Sequence, residues 1–109
     1  MPLNVNDIER YSRNILLPEI GGEGQKKLLE SKVLVVGAGG LGSPLLMYLA
    51  ASGIGNLTVI DNDKVELSNL QRQIIHTTKF INEQKVMSAK NYLYNMNPSI
   101  NVIAINDRL

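Results

Sequence analysis

The residues best suited to chemistry lie in a polar segment that follows a long uncharged run. From Asp61 to Gln73 the chain carries two aspartates, an arginine and several amides, and Lys85 follows at the start of a predicted helix. Fixed cations beside hydrogen-bonding groups suit a substrate whose negative charge must be held and redistributed during reaction. A nucleoside triphosphate is such a substrate, whereas hydride transfer has no use for this set of groups.

A glycine cluster precedes that segment. Gly37, Gly39, Gly40 and Gly42 fit G-x-G-x-x-G between an aliphatic run and a helical pattern, which is the arrangement that lets a backbone approach phosphate closely. The helix start adds unpaired N–H groups. Asp61, 19 residues after Gly42, is placed to accept hydrogen bonds from ribose hydroxyls. The fingerprint alone leaves NAD, FAD and ATP open, together with a turn that only packs a helix on a sheet.

The uncharged run from Val33 to Ile60 predicts one βαβ unit. It is long enough for a membrane span, but the glycines and Pro44 interrupt it, so no continuous lipid-facing helix is available. The aliphatic stretch 33–36 is typical of a strand buried on both faces. A helical apolar stripe covers 41–52, and a second strand covers 57–60.

The flanking segments predict a helical arm and a second αβ pair. Asn6 with Glu9 fits a capping box for a helix through about Asn14, and residues 23–30 fit a second helix. After the polar segment, a helix is predicted from Asn82 or Glu83 to Asn95, followed by a strand at Asn101 to Ile105. From residue 33 onward, the predicted strands and helices therefore follow a β-α-β-α-β order.

That order predicts an α/β fold with a Rossmann-like parallel sheet. Residues 1–31 form the predicted helical arm, and residues 32–109 form a partial ATP-binding domain. Since three strands make about half of a doubly wound sheet, the chain is expected to stop mid-domain. The 109 residues alone are expected to associate and to show no turnover.

Composition restricts the class of protein. The chain has 109 residues, 44% hydrophobic and 19% charged, which is ordinary for one globular domain. A net charge of +1 with scattered basic residues predicts neither nucleic-acid nor membrane binding. The absence of cysteine excludes a disulfide, a thiolate zinc site and a thiol nucleophile within these residues. The polar start of the chain does not fit a signal peptide, so a cytoplasmic location is expected.

Four motifs together resemble the amino-terminal part of the MoeB/ThiF family. They are "RYSRNILLPEIG" at 10–21, "VLVVGAGGLGSP" at 33–44, "GIGNLTVIDNDKVELSNLQRQ" at 53–73, and Lys85 with the later Asn97-Pro98. The resemblance covers nearly the whole chain. Its D-x-D and S-N-L-x-R-Q elements are far more specific than the glycine fingerprint.

The resemblance implies an activity and its partners. Members of this family adenylate the C-terminal glycine of a ubiquitin-like sulfur carrier, in molybdopterin or thiamine sulfur transfer, with ATP and magnesium, and they act as homodimers. The resemblance assigns catalysis to Arg72 and Lys85, and to Arg13 acting on the partner subunit's phosphates. The implied ATP-binding residues are Gly37, Gly39, Gly40, Gly42, Asp61, Asp63, Ser68, Asn69, Leu70, Gln71, Arg72, Gln73 and Lys85.

Some features depart from the family or lie outside the chain. Asn82 to Gln84 replace the Gly and Pro that often precede the lysine, which predicts a different helix entry with the lysine role retained. His76, the single histidine, is interpreted as a packing or loop residue and not as a general base. No residue is assigned to a metal; the magnesium ligand, and zinc cysteines where present, are expected after Leu109.

Other functions stay open on the sequence alone. One is a relative that adenylates a modified nucleoside in tRNA, although the N-terminal arm and the lack of a basic patch disfavour it. Another is a non-catalytic or truncated nucleotide-binding partner, and a dinucleotide oxidoreductase is a distant alternative. Which sulfur carrier is served does not follow from the residues.

Overall fold

Three parallel strands form the centre of the molecule, and the computed structural model describes residues 3–109. The strands are β1 (Lys32–Val36), β2 (Asn56–Ile60) and β3 (Asn101–Ile105), in the order β1-β2-β3. Leu57 of the central strand lies opposite Val33 on one side and Val102 on the other. The α/β fold class and the parallel sheet predicted from the sequence are confirmed.

In residues 3–109, five helices surround or precede the sheet. They are α1 (Val5–Arg10), α2 (Ser12–Ile15), α3 (Gly21–Glu30), α4 (Gly42–Ser52) and α5 (Lys85–Met96). Short 3₁₀ turns cover Leu67–Asn69 and Thr78–Phe80 in the long connection between β2 and α5. Within residues 3–109, none of the helices combines the length and the apolar character that crossing a bilayer requires.

The core lies between one face of the sheet and helices α4 and α5. Its buried side chains include Leu46 and Ala50 of α4, Val86 and Leu93 of α5, and Val59 of β2. Parallel neighbouring strands need a crossover connection, and α4 and α5 supply the two crossovers. Because the strands are parallel, the loops that follow β1 and β2 lie at the same edge of the sheet, the one at the carboxyl ends of the strands.

The other face of the sheet is open in the described chain. Leu34 and Val36 of β1 and Ile103 and Ile105 of β3 are large apolar side chains that remain exposed. The prediction that β1 is buried on both faces is therefore wrong, because Leu34 and Val36 lie on its uncovered face. The strand alternates between a covered and an uncovered face, because α4 and α5 both pack on the same side.

The helical arm begins earlier than the sequence predicts. Asn4, and not Asn6, caps α1: its Oδ1 accepts a hydrogen bond from the Asp7 N–H at 2.8 Å, and Asp7 Oδ2 accepts from the Asn4 N–H at 3.2 Å. The predicted capping box of Asn6 with Glu9 is wrong, because Asn6 already lies inside the helix. Met1 and Pro2 of the predicted arm lie outside the described residues.

A buried polar network fixes the arm at the end of α4. Tyr11 is almost fully buried, and its hydroxyl accepts a hydrogen bond from Asn97 Nδ2 at 2.9 Å. Asn97 Nδ2 also donates to the Ala50 carbonyl at 2.8 Å. Gln25 Nε2 of α3 donates to the Ser52 carbonyl at 3.0 Å. The arm therefore docks at the carboxyl end of α4, opposite the end where the glycine loop lies.

Candidate nucleotide site

The glycine loop connects β1 to α4 at the carboxyl edge of the sheet. Gly37 adopts φ 97°, a conformation that favours glycine, and its N–H donates to the Ile60 carbonyl at 2.8 Å. A Cβ added to Gly42 would collide with the carbonyl oxygen of Gly37. These two positions therefore require glycine for the turn and for the close approach of α4 to β1.

The loop leaves a run of N–H groups without protein acceptors. Among the described residues, the backbone N–H groups of Gly39, Gly40, Leu41 and Gly42 donate to no protein acceptor. Gly39 and Gly40 are at least partly exposed, so the run is open to solvent. Unpaired N–H groups at the start of a helix attract anions. The loop is therefore suited to phosphate.

Asp61, at the end of β2, supports the loop. Its Oδ2 accepts a hydrogen bond from the Ala38 N–H at 2.9 Å, and its Oδ1 accepts from the Asp63 N–H at 2.8 Å. Each carboxylate oxygen keeps lone-pair capacity for a further donor. The predicted contact of Asp61 with ribose stays a prediction, and the structure adds a role for this carboxylate in holding the loop.

The S-N-L-x-R-Q segment lies against the glycine loop. A Cβ built on Gly40 would lie 3.8 Å from Arg72 Cδ, and one on Gly39 would lie 3.6 Å from Gln73 Nε2. Arg72 Nη1 donates to the Ser68 carbonyl at 3.4 Å, a long contact that leaves its other N–H groups available. Gln73 is buried, and its Oε1 has no hydrogen-bond partner.

Lys85 approaches the same edge from the start of α5. It is buried, and its Nζ lies 3.9 Å from Asp63 Oδ2, on a largely exposed carboxylate. The Lys85 N–H also donates to the Asp63 carbonyl at 3.0 Å. With Asn69, these two residues line a polar cavity of about 170 Å³. The fold thus brings Lys85, Asp63 and Asn69 together, and Lys64 and Glu66 line the same cavity. The roles of these residues in triphosphate binding stay predictions.

A second cavity lies directly over the ends of the strands. It measures about 320 Å³ and is lined by Gly37, Asp61 and Asp63, together with Asp107 and Arg108 from beyond β3. Sequence reasoning missed Arg108 as a cation at this edge. The available signal was its position just after the third strand, because the carboxyl ends of parallel strands meet at one edge.

Several predicted residues are not brought into these cavities. Ser68, Leu70 and Gln71 lie on the intervening turn with exposed or half-exposed side chains, and they line neither cavity. Arg13 is exposed on α2 and, within residues 3–109, makes no hydrogen bond or ion pair. The remaining glycines of the loop and two residues of the S-N-L-x-R-Q segment also line neither cavity: Gly39, Gly40, Gly42, Arg72 and Gln73. The roles of all the predicted site residues stay predictions.

His76 is more closely tied to the loop than its sequence position suggests. The ring is buried, with Nε2 2.6 Å from the Ala38 carbonyl oxygen and Nδ1 2.8 Å from Ser88 Oγ. Burial lowers the pKa of His76, and the charge of Lys85 lowers it further; the bond to Ala38 and the charge of Asp61 oppose this. The ring is buried with both nitrogens occupied, so it is not an accessible base.

Metal ligands do not gather in the described part of the chain. Within residues 3–109, no group of three or more histidine, cysteine, aspartate or glutamate side chains is placed to hold a metal ion. Asp61 and Asp63 are instead engaged with the loop and with Lys85. The chain has no cysteine for zinc.

Comparison with known proteins decides the family. The pattern of the ThiF family matches residues 11–109, which include the glycine loop, Arg72 and Lys85. The chain belongs to the ThiF family. Its ThiF family relatives include adenylyltransferase and sulfurtransferase MOCS3-1 of Zea mays, 56% identical over 88% of this chain and 20% of that protein. The sulfur carrier protein ThiS adenylyltransferase of Escherichia coli is 49% identical over 98% of this chain and 43% of that protein.

Solved structures agree with the ThiF family fold. E. coli MccB with ATP matches with a TM-score of 0.82 and 36% identity, over 92% of this chain and 31% of that chain. E. coli tRNA N6-threonylcarbamoyladenosine dehydratase, TcdA, with AMP matches with a TM-score of 0.89 and 26% identity, over 100% of this chain and 44% of that chain. This chain therefore spans less than half the length of these relatives.

Proposed function

We propose that this chain forms the ATP-binding part of a cytoplasmic adenylyltransferase. The enzyme activates the C-terminal glycine carboxylate of a ubiquitin-like sulfur-carrier protein, of the molybdopterin or thiamine type. The observation that carries the proposal is the meeting of the open N–H groups of Gly39 to Gly42 with Arg72 and Lys85 at one edge of the sheet. Relatives named as adenylyltransferases and a structural neighbour with bound ATP support it.

The proposed reaction transfers an adenylyl group to a carboxylate. A carboxylate oxygen of the carrier attacks the α-phosphorus of ATP and forms a new P–O bond. The bond between the α-phosphorus and the bridging oxygen breaks, and pyrophosphate leaves with the electron pair. An anion attacks an anion in this step, and charge gathers on phosphate oxygens in the transition state. Fixed cations and backbone N–H groups reduce the repulsion between the two anions and stabilise the charge on the phosphate oxygens.

Arg72 and Lys85 have different tasks in this proposal. Arg72 is exposed beside Gly40 and offers a planar fork that suits two phosphate oxygens at once. Lys85 is buried and held by Asp63, so it offers a point charge with little freedom to move. Asp61 keeps the loop in place and retains acceptor capacity for ribose hydroxyls. Gly37 to Gly42 would cradle the phosphates.

The arm supports an arrangement in which Arg13 serves a second subunit. Its neighbour Asn14 donates from Nδ2 to the Ser52 carbonyl at 3.3 Å, at the carboxyl end of α4. The glycine loop lies at the other end of α4, about 16 Å away for an 11-residue helix. An arginine side chain does not span that length. If Arg13 contacts phosphate, it does so in a homodimer, on the partner's nucleotide.

Two other functions are consistent with the same glycine loop and lead to different experimental results. A tRNA-modifying adenylating enzyme has support from the AMP-bound structural neighbour, but the basic residues of this chain are scattered along the sequence and do not cluster as an RNA-binding segment would. A non-catalytic nucleotide-binding partner would keep the same glycine loop without turnover. Both alternatives predict no reaction that depends on a carrier protein.

The test is ATP–pyrophosphate exchange in the enzyme that contains this chain. We expect exchange with a sulfur carrier that ends in glycine, and none with the same carrier lacking its terminal glycine. ATP binding without exchange for any carrier would favour a non-catalytic partner. Exchange that needs tRNA and no carrier would contradict the proposal.

A further inference from the structure

His76 links two parts of the candidate site, the glycine loop and α5, through one buried ring. Only 3% of the residue is exposed. Its Nε2 lies 2.6 Å from the Ala38 carbonyl oxygen in the glycine loop, and its Nδ1 lies 2.8 Å from Ser88 Oγ on α5. A carbonyl oxygen only accepts, so Nε2 carries the hydrogen, and Nδ1 accepts from the Ser88 hydroxyl. The neutral ring therefore fits both partners without rearrangement.

The contact with Ala38 determines where the next N–H points. The Ala38 carbonyl and the Gly39 N–H belong to one planar trans peptide, so they point in opposite directions. His76 draws the carbonyl into the interior, and the Gly39 N–H is left facing away from the ring with no protein acceptor. Asp61 holds the preceding N–H, that of Ala38, at 2.9 Å. The N–H and the carbonyl of Ala38 are thus both held, by Asp61 and by His76.

The contact with Ser88 ties the loop to α5. Ser88 is buried and lies three residues after Lys85, about one helical turn farther along α5. The ring therefore sets the loop at a constant position relative to the helix that carries Lys85. Loop N–H groups and this lysine must face the same anion if both are to bind it.

We propose that His76 is a positioning residue for nucleotide binding, which orients the Ala38–Gly39 peptide so that the Gly39 N–H faces phosphate. The inference rests on the proposed function for the identity of the ligand. His76 does not touch the substrate itself, because the ring is buried and both nitrogens are occupied. Its effect passes through the Ala38 carbonyl.

The test compares two replacements of His76 in the enzyme that contains this chain. His76→Phe fills a ring-shaped space without a donor, whereas the side-chain amide of His76→Gln can donate to the Ala38 carbonyl. Two quantities are measured: the dissociation constant for ATP by calorimetry, and the hydrogen-exchange protection of the Ala38 amide by NMR, without nucleotide. We expect His76→Phe to weaken ATP binding and lower the protection, each by about tenfold, and His76→Gln to restore most of both.

A packing role alone predicts the opposite order, because the apolar ring suits a buried site better than an amide does. Equal losses in both variants, or unchanged protection in His76→Phe, would overturn the inference. If His76→Phe does not fold, Ser88→Ala decides: we expect a loss of Ala38 protection there too, and an unchanged value overturns the inference. Failure of the unmodified enzyme to bind ATP would contradict the proposed function instead, since amide protection is measured without nucleotide.

Discussion

Arg72 and Lys85 present positive charge to the same edge of the sheet from different environments. Arg72 is exposed beside Gly40, with one N–H in a long contact to its own turn. Lys85 is buried, and its partner Asp63 is largely exposed. A buried, held cation needs little reorganisation when charge develops on phosphate, which is the condition for strong electrostatic stabilisation.

Removing either cation is expected to slow adenylation more than it weakens ATP binding. We predict that Arg72→Ala and Lys85→Met each slow carrier-dependent pyrophosphate exchange by on the order of 100-fold. Methionine keeps the apolar stem of the lysine. Lys90→Met, at an exposed position of the same helix α5, is the matched control and should leave the rate unchanged. Wild-type exchange in both Arg72→Ala and Lys85→Met would place these residues outside the chemistry.

The buried histidine makes stability depend on pH. Unfolded His76 takes up a proton below about pH 6.5, whereas burial lowers the pKa of the folded ring. The unfolded chain therefore binds more protons, and the free energy of unfolding falls as pH drops from about 6.5 toward the folded pKa. Urea denaturation between pH 7.5 and 5.5 measures this, and His76→Gln should flatten the slope. Since the chain has one histidine, an equal slope in the variant would contradict the assignment.

At the scale of elements, α4 separates two different tasks. Its amino end meets the glycine loop, and its carboxyl end anchors the arm through Asn97, which is buried between Tyr11 and the Ala50 carbonyl. Asn97 Oδ1 also accepts from Ser99 Oγ at 2.7 Å. The Tyr11 hydroxyl, the Ala50 carbonyl and the Ser99 hydroxyl therefore all use this side chain as a hydrogen-bond partner.

Truncating Asn97 is expected to loosen the arm. We predict that Asn97→Ala lowers the free energy of unfolding by on the order of 2 kcal/mol, because it leaves buried polar groups unpaired. Asn95→Ala, at an exposed position in the last turn of α5 and two residues before Asn97, should change stability by less than about 0.5 kcal/mol. Urea denaturation of the two variants provides the comparison. Similar stabilities would mean that the network does not hold the arm.

The sequence predicts elements well where the pattern is local. The apolar stripe and glycine turn place α4 at Gly42–Ser52 against a predicted 41–52, and β3 occupies its predicted residues. The sequence does not locate the capping box, because Asn4 with Asp7 and Asn6 with Glu9 both have an amide side chain followed three residues later by a carboxylate. The open face of β1 could not be predicted, since an aliphatic strand has the same pattern whether one face or two are covered.

The site could be predicted only in part, for the same reason. Gly42 and Lys85 occupy recognisable positions of sequence motifs, and the fold places both residues at one edge of the sheet. His76 has its partner Ala38 at a separation of 38 residues and Ser88 at 12, so no local pattern reveals these contacts. Arg108 likewise reaches the edge only through the parallel arrangement of the strands.

At the scale of the whole molecule, the arm and the site lie at opposite ends of α4. This separation predicts that Arg13, if it contacts phosphate, acts on a partner subunit. We expect Arg13→Ala and Lys85→Met enzymes to be poor separately and to recover part of the exchange when mixed, since some mixed dimers contain one site with both cations. Absence of recovery, with subunit mixing demonstrated by native mass spectrometry, would argue against action across the dimer.

The central claim is that this edge of the sheet holds a nucleoside triphosphate and not a dinucleotide. Calorimetric titration of the enzyme that contains this chain, with ATP and with NAD, tests it most directly. The grouping of Arg72 and Lys85 beside the open glycine loop predicts tighter binding of ATP, with the preference reduced in Arg72→Ala. NAD binding as tight as or tighter than ATP binding would contradict the account.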